Sequence, residues 1–66
     1  MKITSIDYDE GEKYTYEVEI APWNISGAWK LTKKLYVVSM IGKSSYYVEK
    51  KDYEKVIKYI HKKERG

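Results

Sequence analysis

Trp29-Lys30-Leu31-Thr32-Lys33-Lys34-Leu35-Tyr36-Val37-Val38-Ser39-Met40-Ile41-Gly42-Lys43-Ser44-Ser45-Tyr46-Tyr47-Val48 is the stretch on which the fold turns. Leu35, Tyr36, Val37 and Val38 are the most β-prone run in the chain. Before them Trp29 and Leu31 are in phase, and Lys33 breaks the apolar row. Either one long strand bends near residues 32–34 or two short strands meet there. Gly42-Lys43 fits a two-residue hairpin loop with glycine first, a type II′ turn. The return strand is then residues 44–48. That register sets Val37 near Val48 and Val38 near Tyr47. If Val37 and Val48 face the core, Tyr36, Val38, Met40 and Tyr47 face the other way, as a partly aromatic patch of the kind that meets a partner. If the sheet closes on itself, some of these become core.

Working outward, Tyr14, Tyr16, Val18 and Ile20 alternate with Lys13, Thr15, Glu17 and Glu19. Period two predicts a half-buried strand. Residues 2–8 form a weaker strand with Ile3, Ile6 and Tyr8, and Asp9-Glu10-Gly11-Glu12 is turn chemistry. Residues 2–20 are thus expected to be an antiparallel hairpin. Residues 21–28 carry Pro22, Asn24, Ser26 and Gly27 and are expected to be a connector. On the other side, Tyr53, Val56, Ile57 and Ile60 fall at i, i+3, i+4 and i+7, the apolar stripe of a helix over about residues 51–64. Acidic residues at its start and Lys62, Lys63 and Arg65 at its end suit the helix dipole.

The order β-β-(β)-β-β-α predicts a mainly β, α+β fold in one domain, residues 1–66. Its expected form is a small SH3-like bent antiparallel sheet, or partly open barrel, of 4–5 strands with one C-terminal α-helix. A chain of 66 residues buries only ~60% of its unfolded surface, so one small core must hold it. With no cysteine, no disulfide or thiolate–zinc staple is available, which suits a reducing, cytoplasmic setting. The apolar runs are too short to span a membrane, and the first residues lack the apolar stretch of a signal peptide.

One histidine and no cysteine leave few candidates for nucleophile or general base, so an enzyme is not expected. No cofactor, metal or small-molecule substrate is implied. Ile41-Gly42-Lys43-Ser44 lacks the first glycine of a phosphate loop, that position being Val37. His61 and Glu64 are too few to hold zinc. Asp7, Asp9, Glu10 and Glu12 lack EF-hand spacing and read as a solvated hairpin tip. The Asn24-Ile25-Ser26 sequon reads as chance.

Charge is segregated. Residues 1–20 set two lysines against six carboxylates, a net −4, and residues 21–66 set eleven basic side chains against four acidic ones, a net +7. A cationic side of this kind can meet a polyanion. Lys51, Lys55, Lys58 and Lys62 share one helix face, which is either a solvated surface or a phosphate track. Trp29-Lys30-Leu31-Thr32-Lys33-Lys34 interleaves an aromatic with lysines, a pattern that can neutralise phosphates while a ring stacks or wedges; a lysine-protected edge strand has the same pattern.

Trp29-Lys30-Leu31 in a lysine-flanked strand, the Gly42-Lys43-Ser44 turn and Val48-Glu49-Lys50-Lys51-Asp52 leading into a helix together resemble the seven-kilodalton DNA-binding chromatin proteins of hyperthermophilic crenarchaea. The likeness covers most of the chain as a pattern, with little strict identity. It implies an SH3-like barrel that lays a sheet in the minor groove of duplex DNA with little sequence preference. Trp29 and Leu31 would then touch the groove, and Lys30, Lys33 and Lys43 the backbone. Lys34 and Tyr36 stand where that family tends to have an apolar wedge and a small polar residue. Tyr46 and Tyr47 replace a stretch containing glycine and arginine, and the opening hairpin is acidic instead of basic.

The candidate nucleic-acid surface is therefore Trp29, Lys30, Leu31, Lys33, Lys34, Tyr36, Lys43 and Tyr47, on a non-catalytic, nucleoid-associated protein. The alternative expectation is an adaptor or inhibitor of the phage, viral or plasmid type, which grips a protein partner through the acidic hairpin and exposed tyrosines. Free sheet edges also leave self-association open.

Overall fold

The residues around Tyr14–Ile20 pair as the expected hairpin strand, but Tyr14 and Tyr16 are exposed and the strand is not half-buried. In a computed structural model describing residues 1–42 and 44–65, β1 (Lys2–Asp9) and β2 (Glu12–Glu19) pair antiparallel, from Lys2 opposite Glu19 to Asp9 opposite Glu12. The two residues between them, Glu10 and Gly11, both have positive φ, 52° and 83°. That is the I′ type of loop, whose twist matches the strands. Glycine takes this conformation freely, whereas glutamate at Glu10 pays for its Cβ. Glu10→Asn, which makes the preferred Asn-Gly pair, should raise stability by about 0.5–1 kcal/mol. Urea melts should show the gain with an unchanged m-value.

After β2 a 3₁₀ turn, Pro22–Asn24, leads the chain to the opposite edge of the sheet. β3 then runs Ile25–Lys30, so the strand expected from Trp29 onward begins four residues earlier, within the segment expected to be a connector. Turn-forming residues are tolerated there for two reasons. The strand lies at the sheet edge, and its pairing with β4 (Tyr36–Met40) is irregular between Ile25 and Gly27. Ser26 is anchored by its hydroxyl, which donates to the Ser39 carbonyl at 3.1 Å.

β3 and β4 are two strands, and a tight bend joins them. The N–H groups of Leu31 and Thr32 both donate to the Leu35 carbonyl at 3.0 Å. The Thr32 hydroxyl accepts from the N–H of Lys34 at 3.3 Å and of Leu35 at 3.1 Å. A threonine side chain thus closes the bend in place of backbone partners.

β5 (Ser45–Val48) and the helix α1 (Lys50–Arg65) complete the chain. The five strands form one antiparallel sheet in the order β2-β1-β5-β4-β3. It is SH3-like in layout and is not closed, so β2 and β3 are its edges.

The register of β4 on β5 corrects the sequence expectation by one residue. Tyr36 pairs with Val48, Val37 with Tyr47 and Val38 with Tyr46. The Met40 N–H donates to Ser44 O at 2.9 Å, so the connection is a residue longer than the two-residue loop. Gly42 lies at φ 111°; Lys43, the other residue of the expected turn, falls outside the described residues. A one-residue slip turns a strand over. Tyr36 and Val38 therefore point inward with Val48, and Val37 points outward.

Ile3, Ile20, Tyr36, Val38, Val48 and Val56 form the buried core, with Val18, Ala28, Met40, Tyr46, Tyr53 and Ile60 packed around it. The helical stripe read from the sequence supplies the cover: Val56 is wholly buried and Tyr53, Ile57 and Ile60 are half-buried. Tyr53 stacks on Tyr36, ring centroids 4.5 Å apart. The far half of the β1–β2 hairpin leaves this core: residues 7–17 are all exposed.

Candidate functional site

The strand register builds the outer face of the sheet. Ile6 pairs with Tyr47, Tyr47 with Val37 and Val37 with Trp29, so these four residues form one row across β1, β5, β4 and β3. Residues directly opposite in a ladder point to the same side. Ile6 and Val37 are buried within the row, whereas Tyr47 and Trp29 stand 45% and 48% exposed. No helix covers them, because α1 occupies the other face. The Trp29 indole leans back along β3 over Gly27, 3.8 Å from where a Cβ would stand.

The bend after β3 brings more apolar surface to this face. Leu31, half exposed, and Leu35 meet Tyr8, Tyr47 and Asp7 around an open slot of about 370 Å³. Tyr8 and Leu35 also wall a neighbouring crevice of about 290 Å³, which Lys13, Lys33, Lys34 and Lys50 line with Glu49. Asp7 is oriented by the Tyr8 N–H, which donates to its Oδ1 at 2.9 Å.

The expected site residues divide. Trp29, Leu31, Lys33, Lys34 and Tyr47 are exposed and gather on or beside the outer face. Lys30 pairs with Tyr36 and so belongs to the opposite side of the edge strand, exposed but apart from Trp29. Tyr36 is a correction: only 7% exposed and stacked on Tyr53, it is core and not a contact surface. Lys43 lies outside the described residues. Sequence patterning missed Asp7, Tyr8, Lys13, Leu35 and Lys50, because their approach to the bend depends on β1 lying beside β5. One local signal was available. Residues 20–48 contain no aspartate or glutamate and four lysines. The three-stranded part of the sheet is therefore free of carboxylates, and the acid of the β-region sits on the β1–β2 hairpin and its turn.

The helix lysines are not equivalent. Lys55 is engaged, donating to the Lys2 carbonyl at 2.9 Å and lying 3.7 Å from Asp52. Lys50 lies 3.9 Å from Glu54, while Lys51, Lys58 and Lys62 are exposed. On the hairpin, Tyr14 donates to Glu12 at 2.8 Å, and this bond to a carboxylate, with some desolvation, raises the phenol above its ordinary 10.0.

A larger cavity, about 570 Å³, lies elsewhere, between β3 and α1, lined by Pro22, Ile25, Ala28, Ile57, Tyr59 and Ile60. Among the described residues no three metal-ligating side chains converge, and no helix is long and apolar enough to cross a membrane. Comparison with protein-family models, curated proteins and solved structures finds no match to this chain.

Proposed function

We propose that this protein binds nucleic acid without catalysing a reaction, through the outer face of the β3–β4–β5 sheet. One coincidence carries the reading: the face that leaves Trp29 and Tyr47 half exposed belongs to the part of the chain that has lysines and no carboxylate. Lys33 and Lys34 at the bend, with Lys13 and Lys50 in the crevice beside it, displace counterions from phosphates. Trp29, Leu31 and Tyr47 supply apolar contact to groove or bases, which is sequence-tolerant. The mechanism is that implied by the resemblance to the chromatin proteins, with duplex DNA bound at little sequence preference. Its residue set is changed: Tyr36 drops out and Tyr47 is the central ring.

The test is titration of fluorescent random-sequence duplex and single strand at several salt concentrations. Four lysine–phosphate contacts, one for each of Lys13, Lys33, Lys34 and Lys50, give a log–log slope of about −3.6 on duplex. A flat salt response, or no binding of either form at low salt, sinks the proposal.

A second reading has its own support. The projecting hairpin tip bears Asp7, Asp9, Glu10 and Glu12 together with Tyr14 and Tyr16, each about half exposed. An acidic, tyrosine-bearing finger fits a basic protein partner. Asp9→Lys with Glu10→Lys and Glu12→Lys should abolish such a contact while leaving nucleic-acid binding intact or stronger. Pull-down and titration on the same variant separate the two.

A further inference from the structure

We infer that the slot between Tyr8 and Tyr47 holds one unpaired, amino-bearing base, with the adjoining phosphate in the lysine crevice; this rests on the nucleic-acid reading above. The slot is at the small end of ligand sites, about 370 Å³, which admits a flat ring and excludes a duplex. Its walls are chosen for a ring. Tyr8 and Tyr47 each expose about half their surface, and Leu31 and Leu35 close the apolar side. Every base has a π-face to lay on such a phenol.

Asp7 decides which part of a nucleotide enters. A carboxylate on the wall of the slot repels a phosphate, so the backbone stays out. One of its oxygens already accepts from the Tyr8 N–H. The other remains to accept from a base. Cytosine N4 and adenine N6 donate from an amino group, whereas thymine has a carbonyl at that position and donates only through its ring N3–H. The phosphate has its own place next door. The crevice shares Tyr8 and Leu35 with the slot and carries four lysines against Glu49. Base and phosphate of one nucleotide thus fall into adjoining cavities of opposite character, one apolar with an acceptor and one cationic. A fully paired duplex can use the lysines but cannot fill the slot.

The experiment is fluorescence anisotropy at pH 7.5 and low salt with labelled dC12, dT12 and a mixed-sequence duplex. dC12 should bind more tightly than the duplex, and at least fivefold more tightly than dT12. Asp7→Asn, whose amide both donates and accepts, should bring dC12 and dT12 within twofold of each other. Tyr8→Ala should narrow the preference for dC12 over duplex by about tenfold, the loss of one stacked base. Circular dichroism of both variants checks that the sheet persists. Equal affinity for dC12 and dT12 in the parent protein, or a duplex bound as tightly as dC12, overturns the inference and leaves nucleic-acid binding standing. If none of the three ligands binds, both fall.

Discussion

Asp52→Ala should cost about 1–3 kcal/mol of stability, against a total of ~3–10 kcal/mol for a domain of this length. The reason lies in unequal strands. β1 has eight residues and β5 only four, and the single pair joining them is Ile6 with Tyr47. Past that point β1 has no strand on that side. The first turns of α1 take its place. Asp52 Oδ2 accepts from the Thr4 N–H at 2.8 Å, and Lys55 Nζ donates to the Lys2 carbonyl at 2.9 Å. Asp52 is 4% exposed but lies at the wall of an open crevice of about 300 Å³ that Thr4 and Lys55 share, so water replaces it only in part when it is cut back. Alanine leaves the part-buried Thr4 N–H without its protein partner and deprives Lys55 of its counter-charge. Asp52→Asn retains an acceptor and should lose about half as much. Lys55→Met, at a half-exposed position, should lose under ~1 kcal/mol. Urea unfolding followed by circular dichroism reads all three. A loss below ~0.5 kcal/mol for Asp52→Ala would mean that the helix does not serve as a surrogate strand.

The same contact shows what local pattern can and cannot reveal. The sequence places acidic residues correctly at the helix start, where they suit the dipole. It cannot place Thr4, 48 residues away, against one of them. The β1–β2 hairpin is legible because Tyr14, Tyr16, Val18 and Ile20 alternate without interruption, and the helix because its stripe keeps period. β4 offers no such signal. Tyr36, Val37, Val38, Met40 and Ile41 are all apolar, so either face can be turned inward. Loop length alone decides, and a glycine at positive φ serves loops of two residues and of three alike. The connection is one residue longer than the sequence suggests, so β4 is inverted, Tyr36 enters the core and Val37 takes its place in the outer row. The first four residues of β3 escaped notice for a related reason. Ser26, Gly27 and Ala28 are poor strand formers, and they pair because an edge strand with a bulge tolerates them. The slot beside Tyr8 required knowing that β1 neighbours β5, which is a property of sheet order and not of any local run.

Reversing two charges at the bend, Lys33→Glu with Lys34→Glu, should weaken nucleic-acid binding at least ~100-fold at 50 mM salt. Each lysine–phosphate contact contributes about 0.9 log unit of affinity per decade of salt below 1 M. At 50 mM that is about 1.2 log units per contact, so two contacts account for ~200-fold before any repulsion is added. The log–log salt slope should become shallower by about 1.8. The fold should survive. Both side chains are exposed, and what holds the bend is the backbone N–H of Lys34 and Leu35 on the Thr32 hydroxyl, which charge reversal leaves in place. Lys30→Glu is the internal comparison. Its position opposite Tyr36 puts it on the other side of β3, so its effect should be less than that of either bend lysine reversed alone. Equal losses from Lys30 and Lys33 would mean that binding follows total charge and not this face. An unchanged slope in the double variant would remove the bend from the interface altogether.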